Sequence, residues 1–553
     1  MDNSPKTSPD DSPDTAVGIP APEGATELID TDYRIGQDNY QASPVGIRID
    51  IHGAVFTFSA LVVLAFVVLA LALPDQSTHW FGVTRDWINN NLSWFFLLSA
   101  NIFLLLCLAL IFSPLGKVRI GGARAKPDFS TMSWFAMLFA AGMGIGLMFY
   151  GVAEPLTHYS TSLAGIEMGD SGVRSDSAPL GAAEGNPSAA TNLAMAATIF
   201  HWGLHPWAIY AIVALSLALF SFNKGLPLTV RSMFYPVLGE RIWGWPGHII
   251  DILAVFATLF GLATSLGIGA QQASAGLGFL FGLPDGTTTL VLLIAAITAV
   301  AVISIMAGVD KGVRRLSELN MVLAFLLLMF VIMVGPTLAI ATGVAKSLGS
   351  YLTELPFLAN PFGREDSGFT LGWTTFYWAW WISWSPFVGM FIARVSRGRS
   401  VREFLTVALL VPSTVSVIWM TTFGTTAIKQ LQGGFEGARD AEVPLQLFEM
   451  LSQLPLAEIT SFIGIVLVIV FFVTSSDSGS LVIDTITAGG KIDAPKPQRV
   501  FWGILEGAIA ITLLVGGGLL ALQSAVVAAG LPFTFVLLVG CYAIVKGLMS
   551  EPR

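Results

Sequence analysis

The sequence of 553 residues is poor in charged residues and in cysteine. Charged residues make up 12% of the chain, about half the share found in soluble domains, which excludes a water-soluble globule. Two cysteines inside apolar runs, Cys107 and Cys541, support neither a disulfide framework nor a metal site. The net charge of −9 argues against a nucleic-acid-binding protein, which would show a basic surface.

Apolar residues dominate instead, with 54% of the chain hydrophobic and a mean hydropathy of +0.72. After Ile51, apolar runs follow one another, each long enough to cross about 30 Å of hydrocarbon. We therefore expect an all-α integral membrane protein with twelve transmembrane helices. The predicted spans are residues 53–73, 93–113, 131–153, 193–220, 248–281, 287–307, 318–344, 370–393, 402–427, 458–486, 500–522 and 526–547.

The basic residues between the spans divide into two unequal groups. Alternate loops carry seventeen of them: Lys117, Arg119, Arg124, Lys126, Lys224, Arg231, Arg241, Lys311, Arg314, Arg315, Arg394, Arg397, Arg399, Arg402, Lys491, Lys496 and Arg499. The other loops carry six: Arg85, Arg174, Lys346, Arg364, Lys429 and Arg439. Because cytoplasmic loops are enriched in Lys and Arg, the split predicts that the first group and both termini are cytoplasmic.

Composition also divides the chain into segments. Residues 1–50 hold ten acidic residues against three basic ones, which predicts a disordered, acidic cytoplasmic tail. Long polar loops are expected outside the membrane at 154–190 and 428–457. Between two sets of five spans, 345–360 has the spacing of an amphipathic surface helix, which suggests inverted repeats. The predicted segments are 51–130 (two spans and a loop), 131–344 (spans three to seven), 345–360 (surface helix), 368–548 (spans eight to twelve) and 549–553 (cytoplasmic tail).

Three alternate glycines, Gly142, Gly144 and Gly146, stand in the middle of the third span. Each glycine weakens a helix by roughly 1 kcal/mol relative to alanine. Small residues can serve close helix packing, but that needs a spacing of four on one face. The alternation favours an unwound stretch whose backbone lines a cavity.

Aromatic residues concentrate in spans four and eight. Trp207 and Tyr210 share a helix face. Together with Trp202 they could form either an interfacial aromatic belt or a ligand site. In span eight, a stripe within one 100° arc contains Trp373, Tyr377, Trp380, Trp381 and Trp384. Trp378 points away from this stripe. A stripe two to three turns long is not typical of an interfacial belt.

Such a stripe suits a quaternary ammonium group, which offers no N–H and binds aromatic faces by cation–π attraction. The acids nearest the membrane interior are expected to be Asp251, Glu318, Asp477, Asp484 and Glu506. None of these lies in the glycine or aromatic segments, whereas backbone N–H groups at Gly142 to Gly146 could meet a carboxylate. The residues therefore favour a zwitterionic methylammonium ligand.

Two hydroxyls, Thr474 and Ser475, interrupt the apolar run of span ten. They could bond back to the preceding helical turn or serve as oxygen ligands for a hard cation. The chain shows no nucleophile elbow, phosphate-binding loop or zinc motif, so an enzyme is not expected.

Four runs together resemble the betaine/choline/carnitine transporter family, and most closely its sodium-coupled glycine betaine transporters. They are GMGIGLMFYG (142–151), HWGLHPWAIYA (201–211), WAWWISWSPFVGMFIARVSRGRSVREF (378–404) and FFVTSSDSGS (471–480). The resemblance implies two N-terminal helices followed by two inverted five-helix repeats of the leucine-transporter type. It also implies a homotrimer in the bacterial inner membrane.

The resemblance further assigns roles to particular residues. The substrate would contact Trp202, Trp207, Tyr210, Trp380, Trp381, Trp384, Ser265 and the backbone of Gly142, Met143, Gly144 and Gly146. One sodium site would comprise Ala140, Met143, Phe471, Thr474 and Ser475, and a second Thr258 and Phe387. Leu262 stands where a further hydroxyl of the second site is expected. Members that accept choline tend to carry Asp in place of Gly146, which implies little choline transport.

The function implied is import of glycine betaine or a related methylated zwitterion by sodium symport and alternating access, with sodium as coupling ion and no cofactor. The expected partners are this substrate and the lipid bilayer. Two alternatives stay open. One is a sodium-independent exchanger of the carnitine/betaine type, and the other is a symporter for ectoine, choline or dimethylsulfoniopropionate.

Overall fold

The computed structural model describes residues 19–170, 172–307 and 310–553, and these are mainly helical. A hairpin of two antiparallel strands, β1 (Asn39–Ala42) and β2 (Ile49–His52), precedes the first helix. The first nine helices are α1 (Gly53–Ala72), α2 (Pro74–Phe112), α3 (Thr131–Gly142), α4 (Ile145–Ala164), α5 (Pro187–Trp202), α6 (Leu204–Ala218), α7 (Tyr235–Leu238), α8 (Trp245–Phe281) and α9 (Thr287–Ala307). The remaining helices are α10 (Asp310–Val334), α11 (Thr337–Leu358), α12 (Ser367–Phe369), α13 (Thr375–Val395), α14 (Val401–Gln432), α15 (Gly437–Asp440), α16 (Gln446–Ser452), α17 (Ala457–Thr487) and α18 (Lys496–Met549).

Nine helical stretches of the described chain are long and apolar enough to cross a membrane, or ten if the bent pair α3–α4 is one span. The prediction of an all-helical membrane protein is confirmed, whereas the count of twelve is not. The aromatic helix α13 is not among the nine, and the 54-residue helix α18 covers both of the last two predicted spans. Within α18, Gly517 and Gly518 leave helical geometry, and Gly518 has a φ of +61°, a conformation that glycine adopts readily.

Burial separates the centre of the bundle from its periphery. The stretch Pro187–Asn223 contains α5 and α6, and 94% of its most apolar 18-residue window is buried inside the bundle. The corresponding share for α9 is 22%. The large apolar side chains of α9 and α10, such as Leu292, Ile303 and Phe325, are more than half exposed. A helix that is apolar and exposed suits contact with lipid, and an apolar helix buried on all sides forms the core.

Hydrogen-bonding side chains set the starts of three central helices. Ser130 accepts from the backbone N–H of Ser133 at 3.2 Å before α3, and Asn186 accepts from that of Ala189 at 3.1 Å before α5. Ser400 accepts from the backbone N–H of Glu403 at 3.2 Å before α14. Each cap satisfies a donor that the helix itself leaves unpaired.

The N-terminal segment 19–52 differs from the predicted disordered tail, while residues 1–18 of that tail lie outside the described residues. Tyr33 stacks on Trp243 with ring centroids 3.9 Å apart. Ion pairs of 2.7 Å join Glu23 to Arg397 and Asp50 to Lys491. Acidic residues of this segment therefore pair with basic residues of the loops that it contacts. We call the side of the bundle formed by the loops that carry Arg397 and Lys491 the basic face.

Helices also extend into segments predicted as outer loops. Helix α4 continues from the third predicted span to Ala164 and places Glu154 inside the bundle. Helix α14 runs to Gln432, and α15 and α16 follow within 428–457. The segment 345–360 is helical as part of α11 up to Leu358, and its position on the membrane surface stays a prediction.

The division of basic residues predicts which face is cytoplasmic, and accessibility can test it. We expect Ser43→Cys, on the basic face, to react with a membrane-impermeant maleimide only after cells are permeabilised. Glu436→Cys, on the opposite face, should react in intact cells. The native Cys107 and Cys541 are buried and give a low background. Labelling of Ser43→Cys in intact cells would contradict the predicted orientation.

Candidate functional site

The glycine motif lies at a break between two helices. Helix α3 ends at Gly142 and α4 begins at Ile145, with the pair bent by 60°. Met143 and Gly144 between them are extended, so the predicted unwound stretch is confirmed. The first N–H groups of α4 have no acceptor within their own helix. A Cβ at Gly144 would meet open space, and this helix start therefore offers donors to an anion.

Aromatic rings from α5, α6 and α13 come together beside the break. Trp202 meets Trp381 edge to face with centroids 5.0 Å apart, and Trp380 and Trp381 lie 5.6 Å apart and nearly parallel. Tyr210 meets Trp381 at 5.6 Å and Trp207 at 5.2 Å. We call Trp202, Trp207, Tyr210, Trp380 and Trp381 the aromatic cluster. The structure thus joins residues of spans four and eight as the sequence predicts.

Position 146 requires glycine because the rings of the aromatic cluster lie very close to its backbone. A Cβ there would lie 2.7 Å from Cη2 of Trp202 and 2.9 Å from Cη2 of Trp380. A Cβ at Gly142 would lie 3.7 Å from Cζ2 of Trp207. The start of α4 therefore lies directly against the edges of the rings. Any larger residue at 146 must push Trp202 and Trp380 aside.

The indole N–H groups are bound by partners outside the cluster. Trp380 donates to the hydroxyl of Ser265 at 3.0 Å, and Trp381 donates to the carbonyl of His201 at 2.9 Å. Trp202 donates to Glu154 at 2.7 Å. These bonds fix the orientation of the rings and leave their faces for contact with an apolar or cationic group. Ser265 acts here by holding Trp380.

Two tryptophans of α13 lie apart from the cluster. Trp384 donates to the carbonyl of Gly261 at 2.8 Å and meets Phe387 with centroids 5.2 Å apart. It lies one helical turn beyond Trp380 and Trp381. Trp378 is fully buried and stacks on His205 at 5.6 Å, so the prediction that it points away from the stripe is confirmed.

A buried carboxylate behind the cluster escaped the sequence reasoning. Glu154 is fully buried, and its Oε1 lies 2.6 Å from Nδ1 of His201 and 3.3 Å from Nε2 of His158. Its Oε2 accepts from Trp202 at 2.7 Å and from the hydroxyl of Tyr377 at 2.5 Å. Because an ionised carboxylate only accepts, all four partners act as donors. Its local sequence signal, an acid and a histidine four residues apart directly after an apolar run, is equally typical of the start of a loop.

Glu154 is part of a larger network rather than an open ligand set. Glu154, His158 and His201 bring their ligand atoms within 4.8 Å of one another, which a metal ion could bridge. However, Trp202 and Tyr377 already occupy Oε2. The second nitrogen of His201 lies 2.9 Å from the hydroxyl of Thr374. We interpret the group as a hydrogen-bond network that joins α4, α5 and α13.

The first predicted cation site offers oxygen atoms only, the ligand type that hard cations take. The hydroxyl of Thr474 donates to the carbonyl of Val470 at 2.9 Å, and Ser475 is half-buried beside it. The carbonyl of Ala140 accepts from the N–H of Met143 at 3.2 Å, and the carbonyl of Phe471 accepts at 3.3 Å from Thr474. Each carbonyl keeps a second lone pair, so these residues fit a cation chemically.

The second predicted cation site is poorer in oxygen. The hydroxyl of Thr258 donates to the carbonyl of Ala254 at 2.7 Å. Leu262 is fully buried and packs against Gly479 of α17, where an added Cβ would lie 2.3 Å from its Cδ1. Phe387 contacts Trp384, as described above. Leu262 therefore presents a methyl group to α17 where the family resemblance implies a hydroxyl.

A cavity of about 390 Å³ opens on the side opposite the basic face. Its lining includes Arg85, Asn89, Phe376 and Gln523. Phe376 stacks on Trp380 with centroids 5.4 Å apart, so one ring separates the cavity from the aromatic cluster. Arg174 also borders the cavity, and its hydrogen bond to Asp176 lowers the pKa of Asp176 to about 2.

The Glu154 network predicts a stability effect. In Glu154→Gln, the amide NH₂ group would face at least one of the four donors, so that this donor would lose its acceptor. We therefore expect a loss of about 2 kcal/mol in the free energy of unfolding. Thermal unfolding in detergent, followed by tryptophan fluorescence, measures it. Glu167→Gln, at an exposed position, is the matched control. Equal stability of the two variants would contradict the proposed network.

The chain is similar to several bacterial transporters. It is 61% identical over 98% of both chains to a "Glycine betaine/proline/choline transporter" of Vibrio parahaemolyticus. It is 52% identical to "Glycine betaine transporter 1" of the same organism, over 94% of this chain and 97% of the relative. A "Glycine betaine/proline/choline/ectoine transporter" of that organism is also 52% identical, over 94% of this chain and 91% of its own length.

A family model described as "BCCT, betaine/carnitine/choline family transporter" matches residues 54–553. The match confirms the resemblance carried by the four motifs. It also confirms the prediction of a membrane transporter rather than an enzyme, since the relatives are named as transporters too. The chain belongs to the betaine/carnitine/choline transporter family.

Proposed function

We propose that the chain imports glycine betaine or a related methylated zwitterion by sodium symport and alternating access. The observation that carries the proposal is the meeting of two binding elements at Gly146. The start of α4 offers N–H groups to a carboxylate, and the adjacent faces of Trp202, Trp380 and Trp381 offer cation–π contacts to a methylammonium group. A small zwitterion can use both at once.

The state of Glu154 favours a quaternary over a primary ammonium. A primary ammonium inside a protein usually needs a carboxylate to accept its N–H groups. Glu154 is the acid beside the aromatic cluster, and its oxygens already accept from His158, His201, Trp202 and Tyr377. A methylated nitrogen has no such requirement.

The names of the relatives guide the choice of substrate. Glycine betaine appears in all three names, while proline, choline and ectoine appear in some. Choline has no carboxylate and cannot use the start of α4, so we expect it to be transported less well than glycine betaine. Uptake of a labelled panel of these compounds into liposomes, with and without a sodium gradient, tests the proposal. Uptake that is equal without sodium would favour an exchanger.

Helix lengths support the finer architecture that belongs to this proposal. At 1.5 Å per residue, the 54 residues of α18 extend about 80 Å, more than twice the thickness of the hydrocarbon. Two crossings divided at Gly517–Gly518 suit this length, and α13, with 21 residues, is long enough for one. The second crossing of α18 and the crossing of α13 raise the number of spans from ten to twelve. Two inverted repeats, a homotrimer and cytoplasmic termini in the bacterial inner membrane complete the proposal.

A tryptophan substitution tests the aromatic cluster. Trp381 contacts Trp202, Tyr210 and Trp380, so we expect Trp381→Leu to raise the KM for glycine betaine at least tenfold, which corresponds to about 1.4 kcal/mol. Trp245→Leu is the control, because Trp245 is 53% exposed at the start of α8. Similar KM values for both variants would contradict a substrate site at the cluster.

Hydroxyl substitutions test the two cation sites. We expect Thr474→Ala and Ser475→Ala each to raise the sodium concentration for half-maximal uptake at least fivefold, about 1 kcal/mol. Thr258→Ala should raise it less than twofold, since Leu262 leaves that site poor in oxygen. A larger effect of Thr258→Ala than of Ser475→Ala would overturn the assignment of sodium to the first site.

A further inference from the structure

One stripe of helix α8 contacts both halves of the proposed substrate site. Its members, Ser265, Gly269 and Gln272, fall within an arc of about 60° at 100° per residue. The hydroxyl of Ser265 accepts from the indole N–H of Trp380 at 3.0 Å, which fixes a ring of the aromatic cluster. Gly269 and Gln272, one and two turns further along, contact the first turn of α4. The stripe therefore joins the half that offers aromatic faces to the half that offers backbone donors.

Two contacts of α8 restrain the first turn of α4. A Cβ at Gly269 would lie 3.0 Å from Cδ1 of Ile145, so the Ile145 side chain packs directly on the backbone of α8. The side-chain amide of Gln272 donates from Nε2 to the carbonyl of Met148 at 2.9 Å. Ile145 is the first residue of α4 and Met148 the fourth. One contact is apolar and the other polar, and together they restrain the position and the rotation of this turn.

The start of α4 depends on such contacts from outside its own helix. Met143 and Gly144 before it are extended, so α3 does not continue into α4 and does not hold its axis. Among the described residues, no side chain caps the start of α4, and its first N–H groups have no acceptor within the helix. Hydrogen bonds weaken steeply when donor and acceptor lose their alignment. Binding of a carboxylate therefore requires that neighbouring helices keep this turn in place.

The contribution of Gln272 to folding is small. Its side chain is fully buried, and within the described part of the chain its Oε1 has no hydrogen-bond partner. An unpaired buried polar atom costs at least as much free energy as one hydrogen bond contributes. The carbonyl of Met148 also accepts within α4 from the N–H four residues further on, so it does not need the amide. Because Gln272 adds little to stability, its contact with α4 calls for a functional explanation.

Trp419 of α14 makes a comparable contact that does stabilise the fold. Its indole N–H donates to the carbonyl of Leu147 at 2.9 Å, and its ring stacks on Phe423 with centroids 4.5 Å apart. Trp419 is fully buried and its single donor is satisfied, so the hydrogen bond comes together with extensive apolar packing. Gln272 is the position at which support of the α4 start can be separated from packing.

We propose that Gln272 is a positioning residue for the carboxylate of the substrate. It holds the first turn of α4 through Met148, so that the N–H groups of that turn keep a fixed position relative to the rings beside Gly146. Ser265 has the corresponding role for the aromatic half, through Trp380. The inference rests on the proposed transport function and adds to it that one helix, α8, sets the position of both halves of the site.

The two ends of the stripe affect two kinds of ligand differently. Glycine betaine carries both a carboxylate and a methylammonium group, so it depends on Gln272 and on Ser265. Choline has the same quaternary ammonium group but no carboxylate, so its binding depends on the aromatic half. Loss of the Gln272 amide should therefore weaken the binding of glycine betaine selectively, whereas a general distortion of the site would weaken the binding of both ligands.

Ligand binding to the purified full-length protein tests the proposal, with tryptophan fluorescence in detergent at saturating sodium as the readout. Gln272→Leu has a similar side-chain volume and cannot donate. We expect the Kd of glycine betaine to rise at least fivefold and that of choline less than twofold. The Tm of the ligand-free variant should stay at or above that of the wild type. In liposomes, the KM for glycine betaine uptake should rise by the same factor as the Kd.

Further variants of the same helix serve as controls. Ser265→Ala releases the indole of Trp380 and should raise the Kd of both ligands by similar factors, because both use the aromatic half. Gln271→Leu changes the same residue type at the adjacent position, which points away from the stripe, and should behave as wild type. Gln272→Met, with an unbranched side chain, provides the same test if the leucine variant does not fold.

The outcomes separate this inference from the proposed function. An unchanged Kd of glycine betaine in a folded Gln272→Leu would overturn the positioning role and leave the transporter intact. Equal weakening of glycine betaine and choline, or a lower Tm, would show that Gln272 supports the fold instead. Binding of glycine betaine but not of choline to the wild type would contradict the division into two halves. If the wild type does not bind glycine betaine, the proposed function fails and this inference with it.

Discussion

The hydrogen bonds of the Glu154 carboxylate are the interaction on which the site depends. Their donors come from α4, α5 and α13, and the carboxylate is fully buried. An ionised carboxylate in such surroundings is stable only while its donors stay in place. Separating α5 from α4 would remove the donors His201 and Trp202, and separating α13 would remove Tyr377. The aromatic cluster is therefore held in place from the side on which Trp202 donates to Glu154.

Satisfaction of polar groups also shapes the chemistry of the cluster itself. Most buried indole N–H groups have an acceptor, and those of Trp202, Trp380 and Trp381 find theirs outside the cluster. These hydrogen bonds hold each indole by its edge. Gly146 completes the arrangement, because the absence of a Cβ lets the start of α4 reach the ring edges. Backbone donors and aromatic faces thus meet without any charged side chain between them.

The sequence predicts the features of the site that depend on local spacing. Alternating glycines identify the break between α3 and α4, and the stripe of α13 identifies Trp380 and Trp381 while excluding Trp378. It does not predict Glu154, because an acid at the end of an apolar run is also typical of the start of a loop. Three of its partners are 47, 48 and 223 residues away. Their convergence is a property of the tertiary fold.

Charge composition is likewise an incomplete guide to order. The acidic residues of 1–50 predict a solvated chain if the segment is considered alone. Basic residues that pair with it, such as Arg397 and Lys491, belong to loops far along the sequence. The hydropathy pattern separates two spans at 500–522 and 526–547, and the non-helical backbone of Gly517 and Gly518 divides α18 close to that boundary.

Three buried carboxylates of this protein show how the surroundings decide what the same group can do. Glu154 has four donors and Asp251 has a guanidinium at 2.6 Å, so each charge is compensated and each group is a fixed structural element. Among the residues that the structure describes, Glu506 has one donor, from Ser476, and no partner for its second oxygen. Compensation by fixed neighbours stabilises the ionised form, and its absence stabilises the protonated form.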